Sequence, residues 1–188
     1  DNGDVISSRF INVPSFVELL DAEIEIPEYG KIKYDLAFGG AYYALVNAND
    51  LGLELEPKYV NEIINFGMSI KRAIIEKVEI MHPTEPEMNF LYGTIITSNP
   101  KNQNNHSRNI CVFANGEVDR SPTGTGVSAR AAVHYARKEI NLGEPITIES
   151  IIGSTFTVSV LEETKIGEKD AVIPQVLGLS LIHISEPT

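Results

Sequence analysis

Residues 127–140 of this chain read as a helix that is small and apolar on nearly every side, with Val127, Ala129, Ala131, Ala132, Val133 and Ala136 spread around it. Arg130 is the one formal charge before the run Arg137, Lys138 and Glu139 near its end. Such a helix has no wide polar face to turn to water, so the rest of the chain has to enclose it. Strand-like segments outnumber helical ones elsewhere, which makes sheet the expected enclosure and α+β the expected class.

Residues 23–26, 31–37 and 41–46 read as strands turned at Gly30 and at Gly39-Gly40, an antiparallel meander. Tyr42 and Tyr43 then point to opposite faces, one expected packed and one exposed. From 57 to 78, Val60, Ile63, Ile64, Ile70, Ile74 and Val78 recur at helical spacing with Pro57 in the first turn, an amphipathic helix. Strands resume over 89–97, and a polar, asparagine-rich surface loop over 98–107 leads to the short apolar run 109–113. Residues 146–149, 155–161 and 170–175 read as extended, separated by Gly153 and a turn at 165–169, with Glu162 and Glu163 in a solvated turn.

Between the apolar run and the helix lies Asp119-Arg120-Ser121-Pro122-Thr123-Gly124-Thr125-Gly126. Glycines at 124 and 126 remove the Cβ atoms that would hold a ligand off the backbone, and the first helical turn carries amide hydrogens without intrahelical acceptors. Partial positive charge at the helix start reinforces them, so a carboxylate fits against Gly124 and Thr125, while Asp119 can pair with an ammonium group on the same molecule. Pro122 restricts φ just before the bend. A structural glycine turn with a capping threonine has the same glycine spacing; the full octapeptide weighs against it.

That octapeptide resembles the signature Asp-Arg-Ser-Pro-Cys-Gly-Thr/Ser-Gly of the proline racemase and 4-hydroxyproline epimerase family. The trans-3-hydroxy-L-proline dehydratase branch carries threonine in place of the cysteine, as Thr123 does here. Residues 10–16 (FINVPSF), 35–44 (DLAFGGAYYA), 91–94 (LYGT) and 171–175 (AVIPQ) are similar as well and follow the family's order, so the resemblance covers most of 9–176. It implies a diaminopimelate-epimerase-like architecture, in which each of two domains wraps mostly antiparallel strands around a central helix and the site lies between them. It also implies that Asp119 contacts the substrate nitrogen, that the amides of Gly124 and Thr125 hold the carboxylate, and that Phe113, six residues before Asp119, lines the ring pocket.

Thr123 stands where racemases have their second catalytic cysteine. A racemase needs a base on each face of the α-carbon; a thiol of ordinary pKa about 8.5 can serve once a helix start lowers it, whereas a threonine hydroxyl cannot. The implied chemistry is one-sided: α-proton removal, carbanion stabilisation through the carboxylate, and loss of the 3-hydroxyl as water, without a cofactor. Thr123 either orients the leaving hydroxyl or a water, or fills space. The alternatives are a 4-hydroxyproline epimerase or proline racemase and, in another class, a non-catalytic amino-acid-binding relative.

The resemblance places the catalytic base in an upstream Met-Cys-Gly-His type segment, and this chain holds no such segment before the octapeptide. Residues 1–176 are therefore expected to be mainly the second domain of a two-domain enzyme whose first domain is largely missing. Residues 177–188 read as a non-native tail resembling translated sequencing adapter. The base cysteine is absent from this chain, and the fragment alone is expected to bind weakly and not turn over.

Composition bounds the rest. With 188 residues, 43% hydrophobic and 22% charged, the chain can bury a core, and its net charge of −11 disfavours a nucleic-acid or anionic-membrane surface. No run approaches the ~20 apolar residues of a membrane span. The single cysteine, Cys111, permits no internal disulfide and suits a cytoplasmic protein; it shares strand parity with Phe113 but reads as a buried thiol and not a catalytic one. His82, His106, His134 and His183 lack ligand spacing, so no metal is expected. The expected partner is a small imino acid, and the resemblance implies a homodimer.

Overall fold

We describe residues 7–27 and 29–179 of a computed structural model of the chain. Of the expected tail, residues 180–188, His183 among them, lie outside the described residues, whereas residues 177–179 continue a strand.

In chain order the elements are β1 (Ser7–Ile11), β2 (Phe16–Ile26), β3 (Gly30–Phe38), β4 (Tyr42–Asn47), α1 (Val60–Lys77), β5 (Leu91–Ser98), β6 (Ser107–Phe113), β7 (Glu117–Val118), α2 (Gly124–Ala136), β8 (Ile146–Glu149), β9 (Thr155–Ile166) and β10 (Lys169–Leu179). The strands form one sheet in the order β1-β10-β9-β8-β6-β5-β4-β3-β2, with β7 paired to β6. Pairing is antiparallel except between β4 and β5 and between β6 and β8.

The two ends of that order, β1 and β2, are consecutive in the chain. Residues 12–15 join them, and Ser15 exchanges two backbone hydrogen bonds of 2.8 Å with Val172 of β10. The sheet thereby returns on itself, and α2 packs against β2, β3, β4, β9 and β10. Its apolar residues meet strands on several sides: Val127, Ala131 and Ala132 against Ile148, Val158, Val160 and Val176, and Ala129 and Val133 against Ala37, Tyr43, Leu45 and Ile95. This is the enclosure that the composition of 127–136 demands.

The amphipathic α1 covers the opposite face of β5 and β6. It buries Ile63, Phe66, Ile70 and Ile74 against Leu36, Tyr42, Ile96, Ile110 and Val112. Each such fully buried side chain contributes about 1.5–3 kcal/mol of transfer free energy. Because helices lie on both faces of the middle strands, alternate residues of β4 enter different cores. Tyr42 packs on the α1 side and Tyr43 on the α2 side, at 0% and 1% exposure, so the expectation that one tyrosine would be exposed is corrected.

Other expectations shift too. Glu162 and Glu163 are not in a turn: β9 runs on to Ile166, pairing them with Ile173 and Val172, and the reversal comes at Gly167 with φ 58°. Charges do not end a strand whose outer face meets water, and Glu163 accepts a 2.7 Å hydrogen bond from the Tyr135 hydroxyl. The loop at 99–106 is polar, as expected, but Lys101, Asn102 and Asn105 are tied to the buried Glu149.

Candidate active site

After β6 the chain reverses through β7, and the Asp119 N–H donates to the Cys111 carbonyl at 3.1 Å, which brings Asp119 back beside the strand it has just left. The Asp119 carboxylate then organises the turn. Oδ1 accepts from the Ser121 N–H at 2.8 Å and Oδ2 from the Thr123 hydroxyl at 2.9 Å, while the Thr123 N–H donates to Ser121 Oγ at 3.0 Å. Asp119, Ser121, Gly124 and Thr125 are half-buried, and Thr123 is 7% exposed.

Thr123 has φ 66° and ψ 101°, a conformation rare for a residue with a branched Cβ, and such positions store about 1–3 kcal/mol. It caps α2, which starts at Gly124 and ends at Ala136, three and four residues earlier than the sequence suggests. The first intrahelical bond runs from the Val127 N–H to the Thr123 carbonyl at 2.8 Å. The N–H groups of Gly124, Thr125 and Gly126 therefore have no acceptor within the helix, and no acidic side chain occupies its first turn. This end of α2 has the geometry to receive an anion on backbone alone.

Close packing holds it in place. A Cβ on Gly39, in the turn between β3 and β4, would lie 2.2 Å from the Thr125 carbonyl oxygen and 2.4 Å from the Ala129 nitrogen, so only glycine lets that turn press on the helix start. Gly126 has the same kind of role. It is buried, and a Cβ there would lie 2.5 Å from Ile95 Cδ1, so its bare backbone serves helix–sheet packing and not ligand access. Gly124 is the glycine at the open surface, with the half-exposed Phe10 ring of β1 against it.

An aromatic series borders the same surface. Phe113 stacks on Tyr92 at 5.4 Å and 11°, Tyr92 meets Tyr43 edge-on at 5.6 Å, and the Tyr43 hydroxyl is 2.7 Å from Thr125 Oγ1. Burial pushes the Tyr43 phenol far above its usual range, so it stays neutral and holds Thr125 by a hydrogen bond. Cys111 is fully buried beneath the turn, and burial drives its thiol up to about 12, which leaves no thiolate for proton abstraction at neutral pH.

Of the residues singled out from sequence, Asp119, Thr123, Gly124 and Thr125 converge directly, and Phe113 reaches them through Tyr92 and Tyr43. Tyr43, Phe10 and Asn109, whose side chain donates to the Pro122 carbonyl at 3.1 Å, were not assigned. Gly39-Gly40 was the available signal for Tyr43: two glycines before a strand mark a place where another backbone comes close. His134 sits behind the site. Its Nδ1 bonds Glu139 at 2.6 Å, Arg130 lies 3.3 Å from Nε2, and the His106 ring is edge-on at 4.8 Å. Burial and the neighbouring Arg130 charge lower His134 to about 4, so it is a packed neutral base. Among the described residues no group of three His, Cys, Asp or Glu is placed to hold a metal ion.

The family described as Proline racemase matches residues 1–186. This chain belongs to the proline racemase family. Among its relatives in that family, the trans-3-hydroxy-L-proline dehydratase of Colwellia psychrerythraea is 51% identical over 177 residues, 94% of this chain and 50% of that protein. The 3-hydroxyproline 2-epimerase of Burkholderia multivorans is 42% identical over 170 residues, 90% of this chain and 51% of that protein. A hydroxyproline epimerase from Agrobacterium vitis, crystallised with trans-4-hydroxy-L-proline, has a TM-score of 0.88 and 36% identity over 93% of this chain and 50% of that one. The α+β fold expected from the sequence is thus the fold of a solved proline racemase relative, and the chain spans about half the length of the relatives it matches. No described helix is long and apolar enough to cross a membrane.

Proposed function

We propose that the whole protein dehydrates trans-3-hydroxy-L-proline to pyrroline-2-carboxylate, as a cofactor-independent hydro-lyase. The observation that carries this is Thr123. It occupies the position that the family resemblance assigns to the second base of racemases, and its hydroxyl donates to Asp119, so it offers no thiolate there. Cys111 cannot substitute, being buried with its thiol raised to about 12. A dehydratase needs only one base.

In this mechanism the substrate carboxylate rests on the Gly124 and Thr125 amides, and Asp119 accepts from the ring nitrogen. Phe113 borders the ring. The α-proton passes to a cysteine thiolate supplied, by family resemblance, from a first domain outside this chain; the electron pair left on the α-carbon is stabilised through the bound carboxylate. It then forms the C2–C3 double bond as the C3–O bond breaks, and the hydroxyl leaves as water with the proton that the thiolate took, which regenerates the base. The resulting enamine tautomerises to pyrroline-2-carboxylate. Preorganised donors facing developing charge are worth about 3–4 kcal/mol each when removed. We further infer that residues 1–176 are mainly the second domain of a two-domain enzyme, and that the enzyme works as a homodimer in the cytoplasm.

A second reading, a hydroxyproline epimerase or proline racemase, is favoured by the epimerase names among the relatives and opposed by Thr123. Incubating the full-length protein in D2O with trans-3-hydroxy-L-proline, and separately with L-proline and trans-4-hydroxy-L-proline, separates the two by NMR. The dehydratase reading expects water loss from the 3-hydroxy isomer and no inversion of the others. Inversion without water loss would establish the second reading, and neither reaction would leave a binding protein. In the full-length protein Thr123→Cys should gain α-proton exchange on the second face of proline, since it restores a thiol where the second base belongs.

A further inference from the structure

Arg130 is 4% exposed, six residues after the start of α2, and its hydrogen-bond partners are neutral. Nη1 donates to Asn109 Oδ1 at 3.0 Å, and Nη2 donates to Ser107 Oγ at 2.7 Å and approaches His134 Nε2 at 3.3 Å. A buried guanidinium without a carboxylate against it is costly, and a hydrophobic residue would fill the space between α2 and β6 at less cost. The charge therefore calls for an explanation beyond packing.

Asn109 supplies one. An arginine only donates, so Asn109 must turn its oxygen to Arg130 and its NH2 the other way. There the NH2 meets the Pro122 carbonyl, an acceptor only, at 3.1 Å, and Asn109 is fully buried. One amide orientation satisfies both neighbours, and the cation polarises that amide and strengthens its donation.

Pro122 O and Thr123 N are the two poles of a single peptide group. The carbonyl is held by Asn109 and the N–H by Ser121 Oγ at 3.0 Å. Rotating this peptide exchanges ψ of residue 122 for φ of residue 123, and is the movement by which Thr123 would leave φ 66° for an ordinary value. Relief of strain favours that rotation, and it would take the Thr123 hydroxyl off Asp119 and turn the first amides of α2.

We infer that Arg130, acting through Asn109, is a positioning residue that locks the Pro122–Thr123 peptide and so holds residue 123 and the amide surface of α2 in register for the substrate. This rests on the reading of that surface as the carboxylate site. The relay runs from a buried charge, through one amide, to the one strained residue of the octapeptide.

Asn109→Asp in the full-length protein is the test. The new carboxylate gives Arg130 an ion-pair partner but presents an oxygen to the Pro122 carbonyl. The variant should melt at or above the wild-type temperature. Its crystal structure should show Thr123 at negative φ, and its KM for trans-3-hydroxy-L-proline should rise tenfold or more. A variant that keeps the positive φ, or one that loses it with KM unchanged, overturns the inference. Should Asn109→Asp not fold, Asn109→Ala is read by the same two quantities. If the wild-type protein does not turn over trans-3-hydroxy-L-proline, the functional reading fails on its own, and φ of Thr123 in the variant still decides the relay.

Discussion

Two clusters of N–H donors in this fold converge on a common point, and the chain treats them in opposite ways. Around β8 the Lys101 N–H, the Asn102 N–H and the Asn105 side chain converge on the Glu149 carboxylate at 2.9, 2.8 and 2.8 Å. Burial alone would raise that carboxyl, but the three donors together with the nearby Arg108 charge outweigh it and hold it below the usual range. At the start of α2 the Gly124, Thr125 and Gly126 N–H groups also point together, yet the nearby carboxylate, Asp119, is turned to Ser121 and Thr123. Where the chain fills its own donors the cluster fastens a loop. Where it leaves them for another molecule, the cluster can bind one.

That contrast can be broken from either side. Asp119→Ala should act mainly on the ligand: truncating one member of a hydrogen-bonded charge pair costs about 2–5 kcal/mol of binding, against about 1 kcal/mol of folding for the turn it supports. Titration calorimetry and thermal melts on the full-length protein should show affinity falling far more than Tm, and an unchanged dissociation constant would remove Asp119 from the site. Glu149→Ala should do the reverse. Three donors lose their acceptor, stability should fall by about 2–4 kcal/mol in urea unfolding, and kcat of the remaining folded enzyme should stay near wild type. If kcat collapses instead, the two clusters are not separate.

Tyr43→Phe asks how firmly the open cluster is held. Losing the 2.7 Å contact with Thr125 should cost about 1 kcal/mol of stability and raise KM severalfold with little effect on kcat. A drop in kcat with unchanged KM would give Tyr43 a part in chemistry. A further effect is in pH, spread over a window of more than two units. His134 is lowered to about 4 by burial and by Arg130, and burial lowers His82 and His106 as well. The unfolded chain then binds more protons than the folded one between about pH 6.5 and about pH 4. Stability is full above that window and falls through it as pH drops, by at most about 1.4 kcal/mol per unit for each histidine. His134→Gln should flatten the dependence of Tm on pH there; an identical slope would mean that His134 is not buried as a neutral base.

The same contrast explains what could be read from sequence. Asp119, Thr123, Gly124 and Thr125 lie within seven residues, and helix-start geometry is local, so the local geometry at the centre of the candidate site was legible. α1 and α2 were legible because their apolar spacing is set by what each face meets. Most of β2 was not, because its pairing with β3 shifts register between Val17 and Ala22 and Asp21 adopts φ 51°, which breaks the alternation that marks a strand. Closure of the sheet depends on Ser15 meeting Val172, and the positioning of Thr125 on Tyr43; both are contacts across long stretches of chain that no local pattern reports. Glu149, at the end of the extended run 146–149, acquires its role only where the fold brings three donors to it.

The most direct measurement is of the amides themselves. The full-length protein, 15N-labelled at glycine, threonine, lysine and asparagine, is titrated with trans-3-hydroxy-L-proline and with its carboxamide, which keeps the ring and nitrogen but lacks the carboxylate charge. The Gly124 and Thr125 N–H resonances should move downfield with the acid and much less with the amide, while those of Lys101 and Asn102 stay fixed. Saturation by the acid with Gly124 and Thr125 unmoved would contradict their role in holding the carboxylate.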